Sequence, residues 1–551
     1  MVAASHLAPR GGAAWLHGRS SDLLLGAGGA YLLSLPPLLW LGAHFARDDW
    51  PIEATLALGL FVSTPHYGAT LLRVYERAED RRRYRLFALH ASGVLAALFV
   101  AALYLPWLGS LLITLYFGWS PWHFAGQNYG LTLMFLRRRG LAVPPAAKRA
   151  LYTAYLLTFA IALLVFQTGG AGASFAPEFL ADGRGYDAVR LGIPRDVTVP
   201  LAALLLAAFA AALASAAALL RRAGARLADL VAPALLAASQ TLWFVVPAWF
   251  AAHGRILEGL AFTAVWASVA HSVQYLWVTS YYARRSGAET RLSRFYLKAL
   301  LAGCLIGEVP ALLFAPRLLG PLSWSGGLAI LLFAVINLHH FILDGAVWKL
   351  RDGRVARLLL RTEPDVRPAR PPASRLPALV WGLGVACLAV PLLELWDAHA
   401  VRSRDVARLE AASRRLAFIG RDRISVLSAL GALRVERHEL PQAVDAYRRA
   451  LAVRRDPTVL NNLAWTLAVE DGSDASAQEA VALAEEALGR PGGRDAASLD
   501  TLAAAYAAVG RYAEAARTEE RALAAAQGSE LARGMTDRLA LYRAGRPYRE
   551  R

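Results

Sequence analysis

Five of the chain's twelve histidines fall deep inside long apolar runs. They are His66 in Ser63-Thr64-Pro65-His66-Tyr67-Gly68, His123 in Pro121-Trp122-His123-Phe124, His271 in Ala270-His271-Ser272, and the pair His339-His340 in Asn337-Leu338-His339-His340-Phe341. An ionisable side chain at membrane depth is costly, and is a functional candidate by default. Neutral imidazole offers a lone pair and is a common ligand for iron, copper and zinc. The chemistry these residues suggest is therefore metal binding, with His66, His123, His271, His339 and His340 as candidate ligands. Any one of them alone is more often a helix–helix hydrogen-bond partner, so the metal reading rests on the set.

Other polar residues stand near the histidines along their helices. Gln127 follows His123 by four residues and Gln274 follows His271 by three, which puts each on about the same helix face. Asp344 lies one turn beyond the His339-His340 pair. A carboxylate or amide there could hold a ring N–H and fix the tautomer, as the outer partners of metal ligands do. Glu308 is a further acid inside an apolar run, readable as a proton carrier, a fifth ligand or a helix contact. Non-heme iron is the expected metal, with heme or another transition metal as alternatives. No catalytic residue beyond the metal ligands stands out.

The elements that must position these residues follow from composition. Of the 551 residues, 56% are hydrophobic and 18% charged, where a soluble protein usually carries about a quarter charged. Apolar runs of about 20 residues recur up to about residue 395, long enough to cross a bilayer as helices. Eleven spans are predicted, near 22–44, 52–75, 84–106, 108–137, 148–169, 197–220, 227–250, 256–282, 294–315, 323–346 and 376–395. Four of them place a candidate histidine about 14–16 residues from the outer end, hence about 20–25 Å deep. Chance would scatter them over the whole thickness. The two cysteines, Cys304 and Cys387, sit in apolar runs and offer no disulfide framework.

The net charge of +17 is mostly arginine, concentrated in alternate links. Arg77 to Arg85, Arg137 to Arg149, Arg221 to Arg226, Arg284 to Arg294 and Lys349 to Arg375 mark one face. The positive-inside rule makes that face cytoplasmic. The expected location is a bacterial inner membrane, with the N-terminus cytoplasmic and the C-terminal tail periplasmic or extracellular. The charge needs no nucleic-acid partner.

Past the last span the sequence turns charged, Ala-rich and amphipathic, and repeats itself at about 35 residues. Leu430-Gly431 leads to Ala443, Tyr447 and Ala450. Leu463-Ala464 leads to Ala480, Ala484 and Ala487. Leu502-Ala503 leads to Tyr506, Gly510, Ala515 and Ala522. This resembles the tetratricopeptide repeat, with extra residues near Gly472–Ser476. Such repeats stack into a groove for a protein partner. The expected fold is thus all-α: a polytopic membrane helix bundle over 1–395, a linker helix over 396–421, and a soluble repeat domain over 422–551.

The blocks Thr64-Pro65-His66-Tyr67-Gly68-Ala69, Ser120-Pro121-Trp122-His123-Phe124 and Ala270-His271-Ser272 resemble the histidine blocks of the Brp/Blh family, membrane β-carotene 15,15′-dioxygenases. The resemblance implies that His66, His123 and His271, with His339 or His340, hold a non-heme iron that cleaves a carotenoid with O₂. The chain departs from that pattern at Leu71 and at Gln127-Asn128, where an acid is expected, and in its additional spans and repeat tail.

The function expected first is a membrane-embedded, histidine-ligated iron oxygenase acting on an apolar polyene, isoprenoid or lipid drawn from the bilayer. A membrane scaffold or assembly protein recruiting partners through its tail is the non-enzymatic alternative. A multi-span lipid-linked glycosyltransferase is a third, resting on Asp48-Asp49 in the first outer loop. A proton-coupled carrier using Glu308 and the histidines is a fourth. No phosphate-binding loop or nucleotide fingerprint is present.

Overall fold

The computed structural model describes residues 14–34, 52–168, 186, 188–246, 257–316, 318–348, 353–360, 376–421, 423–471, 474–490, 495–526 and 531–550. Among them every regular element is helical, and the only strand-like pairing is an isolated bridge between Thr168 and Ile193. Asp48, Asp49 and Lys349 lie outside the described residues.

Among the described residues, six helices are long and apolar enough to cross a membrane: Pro145–Phe166, Arg195–Arg222, Leu227–Val245, Leu292–Leu313, Ala329–Val347 and Ala378–Ser403. They coincide with six of the eleven predicted spans and are compatible with a membrane protein. Three further predicted spans form helices that are longer or equally long but more polar. These are the run from Ile52 to Tyr75, Pro106–Arg138 and Leu257–Arg285. Each carries one of the histidines, and the polar residues that lower its hydropathy cluster around that histidine. The span predicted at 84–106 contains only a shorter apolar helix, Leu86–Ala102.

Proline and glycine set the local geometry of the histidine-bearing helices. The helix of His66 opens through a wider turn, Gly59–Ser63, before Thr64–Tyr75. Pro65 has no N–H, so the carbonyl four residues earlier, on Phe61, loses its helical partner. The Tyr296 hydroxyl donates to that carbonyl instead. Pro121 breaks the ladder in the same way two residues before His123. Gly68 and Gly303 let the 64–75 and 292–313 helices touch backbone to backbone: a Cβ on Gly303 would lie 2.0 Å from the Thr64 carbonyl oxygen. Substitution at either position therefore displaces a histidine-bearing helix.

The described residues form two compact units. The second comprises 314–329 and 393 onward. In it, three consecutive helix pairs, Ile424–Glu436 with Leu440–Val453, Pro457–Trp465 with Asp474–Gly489, and Ala496–Ala508 with Tyr512–Ala525, are followed by Leu531–Arg543. Small residues carry the packing: Ala443, Ala450, Ala464, Ala480, Ala484, Ala503, Ala515 and Ala522 are buried. A Cβ on Gly431 would lie 2.6 Å from the Tyr447 ring, so glycine there admits the tyrosine of the following helix. The segment 396–421, expected as a linker helix, contains the helix Val406–Phe418, which packs against the following helix. Leu409, Ala412 and Leu416 of the Val406–Phe418 helix pack with Val426, Leu430 and Leu433. Arg421 is buried, pairs with Glu394 at 3.0 Å and lies 3.4 Å over the ring of Trp324.

Candidate metal centre

His66, His123, His271 and His340 arrive from four different helices and meet. Their rings close a four-membered circuit, with centroids separated by 4.9 Å from His66 to His271, 5.1 Å from His271 to His123, 5.0 Å from His123 to His340 and 4.2 Å from His340 back to His66. His271 and His340 face each other across it at 6.3 Å. All four side chains are buried. Six of their ring nitrogens have neither solvent nor a hydrogen-bond partner: both of His66, both of His271, and Nε2 of His123 and of His340.

Each unmatched buried polar atom costs about 1–3 kcal/mol; a single ion could take one nitrogen from each ring, four of the six. Among the described residues, two sets have ligand atoms all within 4.8 Å of one another: His66, His271 and His340, and His123, His340 and Asp344. The donor set fits a transition metal. No family model matches the chain. No curated protein and no solved structure matches it either. The reading of the site therefore stands on its geometry.

One turn along each helix from its histidine lies a polar residue: Thr70, Gln127, Tyr275 and Asp344, each four residues on. Three of these are joined. Tyr275 donates to Asp344 Oδ1 at 2.6 Å, Thr70 Oγ1 is 2.6 Å from the Tyr275 hydroxyl, and His340 Nδ1 is 2.9 Å from Thr70 Oγ1. Trp348 Nε1 also donates to the Tyr275 hydroxyl, at 3.1 Å. One assignment of protons satisfies the chain. His340 Nδ1–H donates to Thr70, Thr70 donates to Tyr275, and Tyr275 donates to Asp344. It leaves a lone pair on His340 Nε2, the tautomer a metal ligand needs.

The other side of the rings is aromatic. Phe124 stacks on His271 at 4.1 Å and Phe341 on His123 at 4.4 Å. Tyr67 lies against His66, and Tyr116 and Phe333 follow behind it. The histidine layer thus separates an apolar wall from a hydrogen-bonded polar layer. The cleft beyond the polar layer is lined by Arg73, Glu76, Asp80, Glu289, Lys298 and Trp348 and contains none of the four histidines. Its charges pair among themselves, Arg73 with Asp80 at 3.1 Å and Lys298 with Glu76 at 2.6 Å.

The remaining sequence candidates lie elsewhere. His339 points away from the circuit: its Nε2 is 2.8 Å from Ser92 Oγ and 3.4 Å from the Tyr75 hydroxyl. Adjacent helix residues differ by about 100° in direction, so only one of His339 and His340 can face inward. Gln127 and Gln274 do not hold the rings; Gln127 donates to Gln274 at 3.1 Å. Glu308 is half-buried on the 292–313 helix, close enough to act electrostatically on Cys304 and Cys387, and belongs to neither ligand set. Neither Thr70 nor Tyr275 is among the candidates the sequence offers. The signal that marks both is their spacing of four from a candidate ligand.

Proposed function

We propose that the chain is a multi-span membrane oxygenase. Its four-histidine centre, His66, His123, His271 and His340, holds a non-heme iron, and its substrate is an apolar polyene, isoprenoid or lipid. The observation that carries this reading is the circuit of four buried rings with six unmatched nitrogens. The arrangement favours a bare ion over heme. Two rings 6.3 Å apart could flank a porphyrin, but His66 and His123 occupy the belt its plane would need, each within 5.1 Å of both.

Bound iron supplies reversible O₂ binding and one-electron chemistry that the side chains lack. The chain's own contribution is position and exclusion of water. Phe124, Phe341, Tyr67 and Tyr116 form an apolar wall suited to a flat or extended hydrocarbon, and the bilayer would deliver such a substrate laterally. Cleavage of a C=C bond by O₂ breaks that bond and the O–O bond and forms two C=O groups, so no external reductant is required. The blocks resembling the Brp/Blh family point to the same chemistry. The tail is read as a tetratricopeptide-type domain for a protein partner, supported by its helix pairs and the Gly431–Tyr447 contact.

Incubation of the iron-loaded, detergent-purified chain with polyenes under ¹⁸O₂ tests this. Labelled carbonyl products from the wild type and none from His123→Ala support it. Equal turnover by His123→Ala, or unlabelled products, would overturn it.

A further inference from the structure

We propose that Asp344 is itself a ligand of this centre, the fifth protein donor and the one that supplies negative charge, and that Thr70 and Tyr275 are positioning residues that aim it. The inference rests on the metal reading above and adds to its four histidines.

The two oxygens of Asp344 are placed differently. Oδ1 accepts from Tyr275 at 2.6 Å and lies 3.3 Å from Thr70 Oγ1. Oδ2 turns toward the histidines, 3.4 Å from His340 Nε2 and 3.9 Å from His123 Nε2. The proton chain through Thr70 leaves His340 Nε2 as a lone pair. His123 Nε2 has no hydrogen-bond partner, and 3.9 Å is too long for it to donate to Oδ2. With His123 in the Nδ1–H tautomer and Asp344 ionised, lone pairs on nitrogen and oxygen converge on one space with no hydrogen between them. That contact is repulsive unless a cation occupies it.

Charge gives a second reason. A divalent ion held by four neutral imidazoles carries its full charge into a buried site among apolar helices, where unpaired charge is costly. One carboxylate halves the net charge. Fixing its far oxygen with Tyr275, itself held by Trp348, leaves the near oxygen free to bind. Ligating carboxylates are commonly oriented by such hydrogen bonds.

Metal-free, full-length protein is titrated with cobaltous ion, whose visible spectrum reports coordination number. Wild type is expected to bind one ion per chain with the weak absorption of five-coordinate cobalt. Asp344→Asn and Asp344→Ala should bind about a hundredfold more weakly and shift toward the stronger four-coordinate absorption. Tyr275→Phe should weaken binding by about tenfold with the wild-type spectral shape. If Asp344→Ala does not fold, Asp344→Asn decides the matter. Unchanged affinity and spectrum in Asp344→Asn would overturn the proposal and leave the four-histidine reading intact. No cobalt bound by folded wild type would overturn both.

Discussion

Gly68 meets the backbone of the neighbouring helix at Ala299, where a Cβ would fall 1.7 Å from the carbonyl oxygen. Gly68 is two residues from His66, so this crossing sets where one imidazole stands. Gly68→Ala should cost about 1–3 kcal/mol of stability through overpacking. It should also lower metal affinity by at least about tenfold, although no ligand is altered, because ligand geometry tolerates little displacement. Thermal unfolding and a metal titration on the same preparation check both effects. Unchanged affinity would mean that His66 is positioned by something else.

The neighbours His339 and His340 should behave oppositely. His340→Ala is expected to abolish stoichiometric metal binding. His339→Ala removes a contact to Ser92 and Tyr75 and should leave the metal in place, at a cost of about 1 kcal/mol. Metal content of the two purified variants separates them, and loss of metal in both would contradict the assignment of His340 alone.

How much of this was legible in the sequence differs between elements. The histidines were visible because imidazole is rare in apolar runs, and equal depth on four predicted spans brought them to one level. Which of His339 and His340 faces inward was not, because adjacent residues in one span have equal hydropathy and only packing fixes the rotation. Asp344 stood out as a buried acid, yet its two-sided placement depends on Thr70, Tyr275 and Trp348 from three separate segments. Gln274 shows the limit of face arguments. At three residues from His271 it shares the face, but its nearest partner is Gln127, not a ring. The packing of the expected linker helix over 396–421 was not legible, because Leu409, Ala412 and Leu416 form only a narrow apolar stripe, which packs against Val426, Leu430 and Leu433.

The tail should carry its own pH dependence. Burial and the adjacent Asp500 hold the Glu519 carboxyl well above its ordinary range, with Arg538 and Tyr542 also nearby. A carboxyl raised in the folded state stabilises the fold fully below its unfolded pKa, about 4.5, and that contribution is lost as pH rises toward the folded value. Tail stability should therefore fall from mildly acid to alkaline pH. Glu519→Gln should flatten the trend and gain of order 1–3 kcal/mol at pH 8. Urea midpoints of the tail in the full-length chain, read by pulse proteolysis across pH 5 to 9, check this. A wild-type midpoint that rises with pH would contradict it.

Arg421 is stacked on Trp324, so the tail and the 314–329 segment must lie on the same face of any membrane the chain spans. A cysteine placed at Ser323 and one in the tail at Ser428 should be reached by the same impermeant thiol reagent from the same side. Trp324→Ala should loosen this contact by about 0.5–2 kcal/mol without touching the metal. Labelling from opposite sides would contradict the packing.

Four helices bring His66, His123, His271 and His340 together around the proposed metal. The most direct test is the metal content and visible spectrum of the purified full-length chain beside a His123→Ala, His271→Ala double variant, both from iron-replete cells. The account predicts about one iron per wild-type chain, no heme Soret band, and loss of the iron in a variant that still folds. A wild-type protein free of metal, or a folded double variant that keeps it, would contradict the account.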